Sequence, residues 1–169
     1  MDTRAALLCS AIVLGGASSA LSAQAASGAG AADHRDWRVE CRPGTCALSV
    51  TVRSASEEWL ATLVIEMDGQ AAPDDPALLR AVVPAGVHLA SGLFLDIPGA
   101  PALEAAFVRC AAEACAATAP LDADAFAALR RARSATMRYR PGVTAPTIRF
   151  DVSLMGLTAA WRDANAALQ

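Results

Sequence analysis

The sequence of 169 residues has no lysine, only two histidines and few aromatic residues, which make up 5% of the chain. All 14 basic residues are therefore arginine, and the net charge is −3, which argues against a general nucleic-acid-binding protein. Charged residues make up only 18% and hydrophobic residues 54%, a composition that excludes intrinsic disorder. The composition also excludes collagen, a coiled coil and a multi-pass membrane protein. The length predicts one domain.

The N-terminus has the pattern of an export signal. Arg4 precedes a short apolar run at residues 5–14, and small residues follow it up to Ala23-Gln24-Ala25. The run is too short to span a bilayer, so we predict a signal peptide over residues 1–25, cleaved after Ala25, with Ala23 as the second choice. The alternative is an ordinary N-terminal helix. Cys9 lies inside the apolar run rather than after it, which argues against lipidation.

Residues 26–36 are rich in Ala, Gly and Ser, and we predict a flexible leader there. Residues 37–169 are predicted to form the single folded domain of a mature chain of about 140 residues, which can bury one core. No later stretch approaches the 18 apolar residues of a membrane span, so the mature chain is expected to be soluble, without a transmembrane segment.

Four cysteines remain after signal removal, in two pairs of equal spacing: Cys41 with Cys46, and Cys110 with Cys115. An exported chain meets an oxidising compartment, so disulfides are expected, with three possible connectivities. At the first pair, Pro43-Gly44 predicts a turn between two alternating runs, which places Cys41 opposite Cys46. At the second pair a helix would point the thiols apart, so a turn is favoured. The rival interpretation is a four-cysteine zinc site, whose spacing here is unusual.

Several runs alternate between apolar and polar residues, the period of a strand with one buried face. They occupy residues 37–41, 46–53, 59–67, 79–83, 93–97, 137–140 and 148–154, with turn signals such as Asp68-Gly69 between them. Two segments have the pattern of helices: one begins after Asp122, a suitable N-cap, and one covers residues 157–168. We therefore predict a mainly β protein of about eight strands: an antiparallel β-sandwich or barrel-like sheet with two short helices and two local disulfides.

From Trp37 to the C-terminus, the chain resembles the invasion-associated locus B family of exported bacterial proteins. The matching pieces stand in order: WRVEC at 37–41, CAL at 46–48, VPAGVHL at 83–89, GLFLDI at 92–97, FVRC at 107–110, CA at 115–116, a leucine-bearing helix at 121–130, and SLMGL at 153–157. The family is associated with the cell envelope and, in some pathogens, with entry into host cells. The resemblance supplies no catalytic motif, so it implies a compartment rather than a reaction.

No common catalytic or cofactor motif is present, and we expect no enzyme activity, no cofactor and no metal site. His34 is interpreted as a solvated leader residue and His88 as a packed or surface residue. The neighbouring carboxylates Glu57-Glu58 and Asp74-Asp75 lie in predicted loops, where they are expected to be hydrated rather than to act as a glycosidase pair.

Arginine is the most unevenly distributed residue. Six arginines fall within twenty residues of one another: Arg130, Arg131, Arg133, Arg138, Arg140 and Arg149. Strand alternation puts Arg138, Arg140 and Arg149 on a polar face, so pairing of their strands would create a basic patch that binds an anion or an acidic partner. The alternative is a solvated face whose charges are paired with acids elsewhere.

Together these features predict an exported periplasmic or cell-surface protein that binds an envelope component or a protein partner, in a role linked to envelope function or host-cell interaction. Two alternatives remain: a hydrolase with an unrecognised site, favoured if polar groups converge around His88 or a carboxylate pair, and a purely structural envelope protein.

Overall fold

The computed structural model describes residues 30–70 and 77–169, so the predicted signal peptide, its cleavage site and Asp74-Asp75 lie outside the described residues. The described part contains ten strands: β1 (Ala31–His34), β2 (Trp37–Arg42), β3 (Thr45–Arg53), β4 (Trp59–Asp68), β5 (Ala77–Pro84), β6 (Leu93–Asp96), β7 (Leu103–Cys110), β8 (Ala114–Leu121), β9 (Ser134–Tyr139) and β10 (Ile148–Ser153). It also contains two helices, α1 (Ala123–Arg131) and α2 (Leu157–Leu168), and a short 3-10 turn over Leu89–Ser91.

The strands form one antiparallel sheet in the order β1-β2-β3-β4-β5-β8-β7-β6-β9-β10. Strand β2 is second in this order and β10 is tenth, so a flat sheet would separate them by roughly 38 Å at about 4.8 Å per strand. Instead, the indole Nε1 of Trp37 in β2 donates a hydrogen bond of 3.0 Å to the carbonyl oxygen of Ser153 in β10. The sheet therefore curls into a half-barrel, which confirms the prediction of a mainly β, antiparallel fold with a barrel-like sheet.

The interior of the half-barrel is apolar. Side chains alternate along each strand, so every second residue points inward. Within the described residues, no polar or charged residue is fully buried. The largest buried side chains come from seven of the ten strands and from both helices: Trp37, Leu48, Leu63, Ile65, Leu79, Val83, Leu93, Leu95, Leu121, Leu129, Met137 and Leu157.

Both predicted helices are present. Asp122 caps α1, since its carboxylate accepts a hydrogen bond of 2.7 Å from the backbone N–H of Ala125. Helix α2 packs against β1, β2 and β3 through a face that buries Leu157, Ala160 and Ala164. Neither helix of the described part has the length and apolar character that crossing a bilayer requires.

A seam joins the two edges of the sheet, and we define it as residues 34–37 against residues 153–156. Besides the Trp37 hydrogen bond, the backbone N–H of Asp36 donates to the carbonyl oxygen of Met155 at 3.3 Å. The Ser153 hydroxyl donates to the Asp36 carboxylate. Gly156 has a φ of 104°, and a Cβ placed there would overlap the backbone carbonyl of His34. The seam thus requires glycine at the start of α2.

The structure has more strands than the alternating runs predict. Residues 31–34 of the predicted flexible leader form β1, paired with β2 from Ala31↔Glu40 to His34↔Trp37, so the leader prediction does not hold for these residues. Strands β7 and β8 were also not predicted as strands. In β8 the alternation is between buried and less buried alanines, which the sequence pattern alone does not distinguish.

Candidate functional site

The predicted basic patch lies on the outer face of β6, β9 and β10. Strands β9 and β10 pair, which is the condition for the basic patch, and Arg138 lies opposite Arg149. Strand β6 pairs with the other side of β9 and places Phe94 opposite Arg138. A row of Phe94, Arg138 and Arg149 therefore crosses the three strands. The next row on the same face is Asp96, Thr136 and Asp151.

Arg138 is held by its neighbours. Its guanidinium carbon lies 4.0 Å from the centroid of the Phe94 ring, a cation–π distance. Its Nε donates to Asp96 at 3.1 Å. Only 30% of the Arg138 side chain is exposed, so little of its charge is available to a ligand.

Arg149 and Arg140 are less constrained. Nη2 of Arg149 lies 3.5 Å from the same Asp96 oxygen, and 64% of the side chain is exposed. Nε of Arg140 donates to the carbonyl oxygen of Ala145 at 2.9 Å, a contact that leaves its terminal Nη groups for other partners. Asp151 accepts a hydrogen bond of 2.9 Å from Thr136. These two arginines are the part of the face best able to take an anion.

Arg130, Arg131 and Arg133 do not join this face. The guanidinium of Arg130 lies 4.1 Å from the Trp161 ring and 5.3 Å from the Phe126 ring, so it stacks between α1 and α2. Arg131 is exposed at the end of α1, beside a shallow depression lined by residues 99–103 and Asp124. Arg133 is exposed in the connection to β9. The six arginines predicted as one patch are thus divided between three places.

Sequence reasoning missed Asp96, which pairs with both Arg138 and Arg149. Alternation along β6 assigns Asp96 to the polar face, but only the pairing of β6 with β9 brings it to the arginines. The alternative interpretation, in which the arginine charges are paired with acids elsewhere in the chain, therefore applies to Arg138 and in part to Arg149.

All four cysteines are bridged, which excludes the zinc interpretation. Cys41 bonds to Cys46 and Cys110 to Cys115, with Cα–Cα distances of 4.1 and 4.0 Å. Each pair is directly opposite across a hairpin. The predicted local connectivity is thus confirmed at both pairs. Within residues 30–70 and 77–169, no cluster of three or more metal-ligating side chains occurs.

The two histidines have specific partners. Nε2 of His34 lies 2.8 Å from Asp163 of α2, so His34 belongs to the folded domain rather than to a solvated leader. Nδ1 of His88 lies 2.6 Å from the Ser91 hydroxyl, three residues on in the same turn. The backbone N–H of His88 donates to the carbonyl oxygen of Arg140. His88 therefore orders a turn next to the basic face.

The predicted loop carboxylates Glu57 and Glu58 belong to the tight turn between β3 and β4. Glu57 has a φ of 64°, and the Glu58 carboxylate accepts a hydrogen bond of 3.2 Å from Ser56. Both are exposed, as the sequence prediction of hydrated loop acids implies.

Comparisons with known proteins agree with this architecture. The sequence model of the Invasion associated locus B (IalB) protein family matches residues 27–165. The fold is similar to the crystal structure of invasion associated protein B from Bartonella henselae, with a TM-score of 0.68 and 16% sequence identity, covering 80% of this chain and 96% of that chain. At this identity the likeness shows the fold alone. No curated protein matches the sequence significantly.

Proposed function

Because the chain belongs to the invasion associated locus B family, we propose that it is an exported, non-catalytic binding protein of the periplasm or cell surface. Its ligand is an anionic envelope component or an acidic partner, and its role is linked to envelope function or host-cell interaction. The observation that carries the proposal is the pair of cross-strand disulfides, which need an oxidising compartment to form and persist.

Two sequence observations support export, one on each side of the predicted cleavage site. The first 25 residues have the signal-peptide pattern, and the family match begins at residue 27, the second residue of the proposed mature chain. Cys9, the one cysteine outside the two bridges, would be removed with the signal, leaving a mature chain with an even number of cysteines.

Expression of the full-length gene in a bacterium tests export. We expect the protein in the periplasmic or secreted fraction, beginning at Ala26 by mass spectrometry, with no thiol that reacts with a maleimide under denaturing conditions. A cytoplasmic product with an intact N-terminus, or with four reactive thiols at the hairpins, would contradict the proposal.

A binding role is supported by the outer face of β9 and β10. Arg149 is exposed and Arg140 is half-buried with only its Nε engaged, on a protein whose net charge is negative, and guanidinium pairs well with phosphate and carboxylate. Arg138, although it is nearest the centre of the face, is neutralised by Asp96 and acts mainly in packing.

Charge reversal tests the basic face. We expect the double variant Arg140→Glu/Arg149→Glu to lose roughly thirtyfold or more in binding to immobilised envelope extract, because each of the two arginines near an anionic surface contributes about 1 kcal/mol. Arg42→Glu, at the exposed turn between β2 and β3, is the matched control and should bind like the wild type. Salt-independent binding that survives the double reversal would refute the anionic ligand.

A second candidate, a hydrolase, is favoured by one contact, the 2.6 Å approach of His88 Nδ1 to the Ser91 hydroxyl. A serine activated by histidine would hydrolyse activated esters and lose that activity in Ser91→Ala. Turnover of a panel of nitrophenyl esters that disappears in this variant would favour the hydrolase over the binding protein.

A further inference from the structure

In the described part of the chain, five connections emerge at one end of the half-barrel, and three of them contact one another. Pro84 at the end of β5 pairs with Ala114, while Cys110 at the end of β7 pairs with Cys115. Tyr139 at the end of β9 pairs with the first residues of β6 and β10. The loops β5–β6, β7–β8 and β9–β10 therefore emerge at the same end. We call this surface the loop rim and define it as residues 85–92, 108–114 and 140–147.

Backbone hydrogen bonds join the loops of the rim to one another. The N–H of His88 donates to the carbonyl oxygen of Arg140 at 2.9 Å, and the N–H of Ala85 donates to that of Glu113 at 3.1 Å. A Cβ placed on Gly142 would lie 3.8 Å from the carbonyl oxygen of Gly86, an ordinary packing distance. The rim is thus one continuous surface rather than three independent loops.

Large apolar side chains project from this surface into solvent. Leu89 is 54% exposed, Val108 is 61% exposed and Val143 is 70% exposed. In the described residues the other large apolar side chain of this kind is Leu78, at 37%, near the opposite end of β5. Single exposed apolar residues are ordinary, but their concentration at one end marks an interaction surface.

Local contacts hold the two most prominent loop tips in place. The Ser91 hydroxyl lies 2.6 Å from His88 Nδ1, and the backbone N–H of Ser91 donates to the carbonyl oxygen of His88, so the turn that carries Leu89 is closed. The loop of Val143 is closed by the hydrogen bond from Arg140 to Ala145. The loops that carry Leu89 and Val143 are therefore already ordered before a partner binds, which lowers the entropy cost of docking.

Cations border the apolar tips. Arg109 is exposed beside Val108, Arg140 lies at the base of the Val143 loop, and Arg149 is the second residue of β10. Inside the loop rim as defined, the charged residues are Arg109, Arg140 and Glu113, so the rim itself has a net charge of +1 on a chain whose net charge is −3. Glu104 lies beside the rim, and the exposed carboxylates of Glu57 and Glu58 lie in the β3–β4 turn at the same end of the half-barrel.

We propose that the loop rim docks end-on to an anionic phospholipid bilayer. Leu89, Val108 and Val143 enter the headgroup region, and Arg109, Arg140 and Arg149 contact lipid phosphates. Separate apolar side chains, two on loops and one near the end of β7, fit a fluid interface that closes around each of them, whereas a rigid protein partner would require a groove or a flat face. This inference rests on the proposed function and specifies lipid as the anionic component.

Cosedimentation with vesicles of phosphatidylglycerol and phosphatidylcholine tests the proposal, using protein recovered from the periplasm of an expressing cell. We expect binding to these vesicles, weaker binding at high salt, and little binding to phosphatidylcholine alone. Leu89→Ser/Val143→Ser should reduce the partition coefficient roughly tenfold, because two exposed aliphatic groups no longer enter the interface. Arg109→Glu should also reduce it, by an amount that shrinks at high salt.

Leu78→Ser is the matched control, since it removes an exposed leucine away from the rim and should leave vesicle binding unchanged. Wild-type partition by the Leu89→Ser/Val143→Ser variant, or an equal loss in Leu78→Ser, would overturn the proposal. The proposal would also be overturned if the wild type did not bind vesicles but self-associated, and the Leu89→Ser/Val143→Ser variant did not self-associate. The rim would then join two copies of the chain. If the protein binds envelope extract through Arg140 and Arg149 but does not bind vesicles, the lipid inference alone is overturned. If it binds neither envelope extract nor vesicles, the proposed function is overturned as well.

Discussion

Tyr139 is the one tyrosine of the sequence, and it lies inside the half-barrel. Its hydroxyl donates a hydrogen bond of 3.1 Å across the interior to the carbonyl oxygen of Leu60. Burial raises the pKa of Tyr139 above its usual value of 10.0, because the phenolate would lose its hydration there.

The spectroscopic titration of tyrosinate should therefore show a midpoint above 10 in the native protein and near 10 in urea. Below pH 10 the phenol is neutral in both states, so its favourable burial is fully present. As the pH rises towards the native pKa, the unfolded chain ionises first and the free energy of unfolding falls. The chain has no lysine, so no ammonium side chain titrates in this range.

Tyr139→Phe provides the control. Its free energy of unfolding should decline less steeply above pH 10, although it should be lower at neutral pH by about 1 kcal/mol for the lost hydrogen bond. A native midpoint at or below 10 would contradict the burial argument.

Single residues also show where sequence reasoning reaches its limit. The Asp122 cap could be predicted because the cap and the helix it starts are adjacent in the chain. The neutralisation of Arg138 could not, because Asp96 lies 42 residues away and approaches only through the strand order.

At the scale of elements, hairpins with strong apolar contrast were predictable and alanine-rich ones were not. The run from Cys46 to Val52 alternates large apolar with small or polar residues, and the structure has β3 there. In β8 the buried Ala117 and Ala119 alternate with Ala116 and Thr118, so side-chain type carries little information about which face is buried. Strand β1 has no apolar alternation at all and is specified by its pairing with β2.

Removal of either disulfide should destabilise the protein without unfolding it. Each bridge closes a loop between cysteines five positions apart, which corresponds to about 2 kcal/mol in the chain-entropy model. Cys41→Ala/Cys46→Ala should cost more than Cys110→Ala/Cys115→Ala. Each bridge has one buried cysteine, Cys46 or Cys115, but their partners differ: Cys41 is half-buried against the core, whereas Cys110 is exposed. The Cys46 sulfur also lies 3.6 Å from the carbonyl oxygen of Ala164.

Urea unfolding of the two double variants measures these costs. Reduction of the wild-type protein should lower the free energy of unfolding by about the sum of the two, since the hairpins are independent. A second-pair variant that loses more stability than the first would contradict this ranking, which rests on the greater burial of Cys41 than of Cys110.

At the scale of the whole molecule, the curl of the sheet depends on the seam between residues 34–37 and 153–156. The alternating runs predicted a barrel-like sheet, but nothing in them indicated which residues join its edges. The single signal is Gly156, which follows β10 and starts α2 without a capping side chain.

Gly156→Ala should therefore cost about 2–4 kcal/mol in the free energy of unfolding, because it combines a left-handed backbone with an overlap against the His34 carbonyl. Gly99→Ala is the matched control, since Gly99 also has a positive φ of 79° but nothing within 4 Å of a Cβ placed there. It should cost about 1 kcal/mol, from the backbone alone. Equal costs for the two variants in thermal or urea unfolding would show that the seam is not tightly packed.

The seam also determines the order of events when the chain is made. Its hydrogen bonds connect residues 116 and 117 positions apart, so they cannot form until nearly all of the polypeptide has left the ribosome. Contacts between such remote segments form slowly because of the entropy of closing a long loop. A nascent chain with this architecture stays open while it is being translated, the state in which a polypeptide can be threaded through a narrow membrane pore.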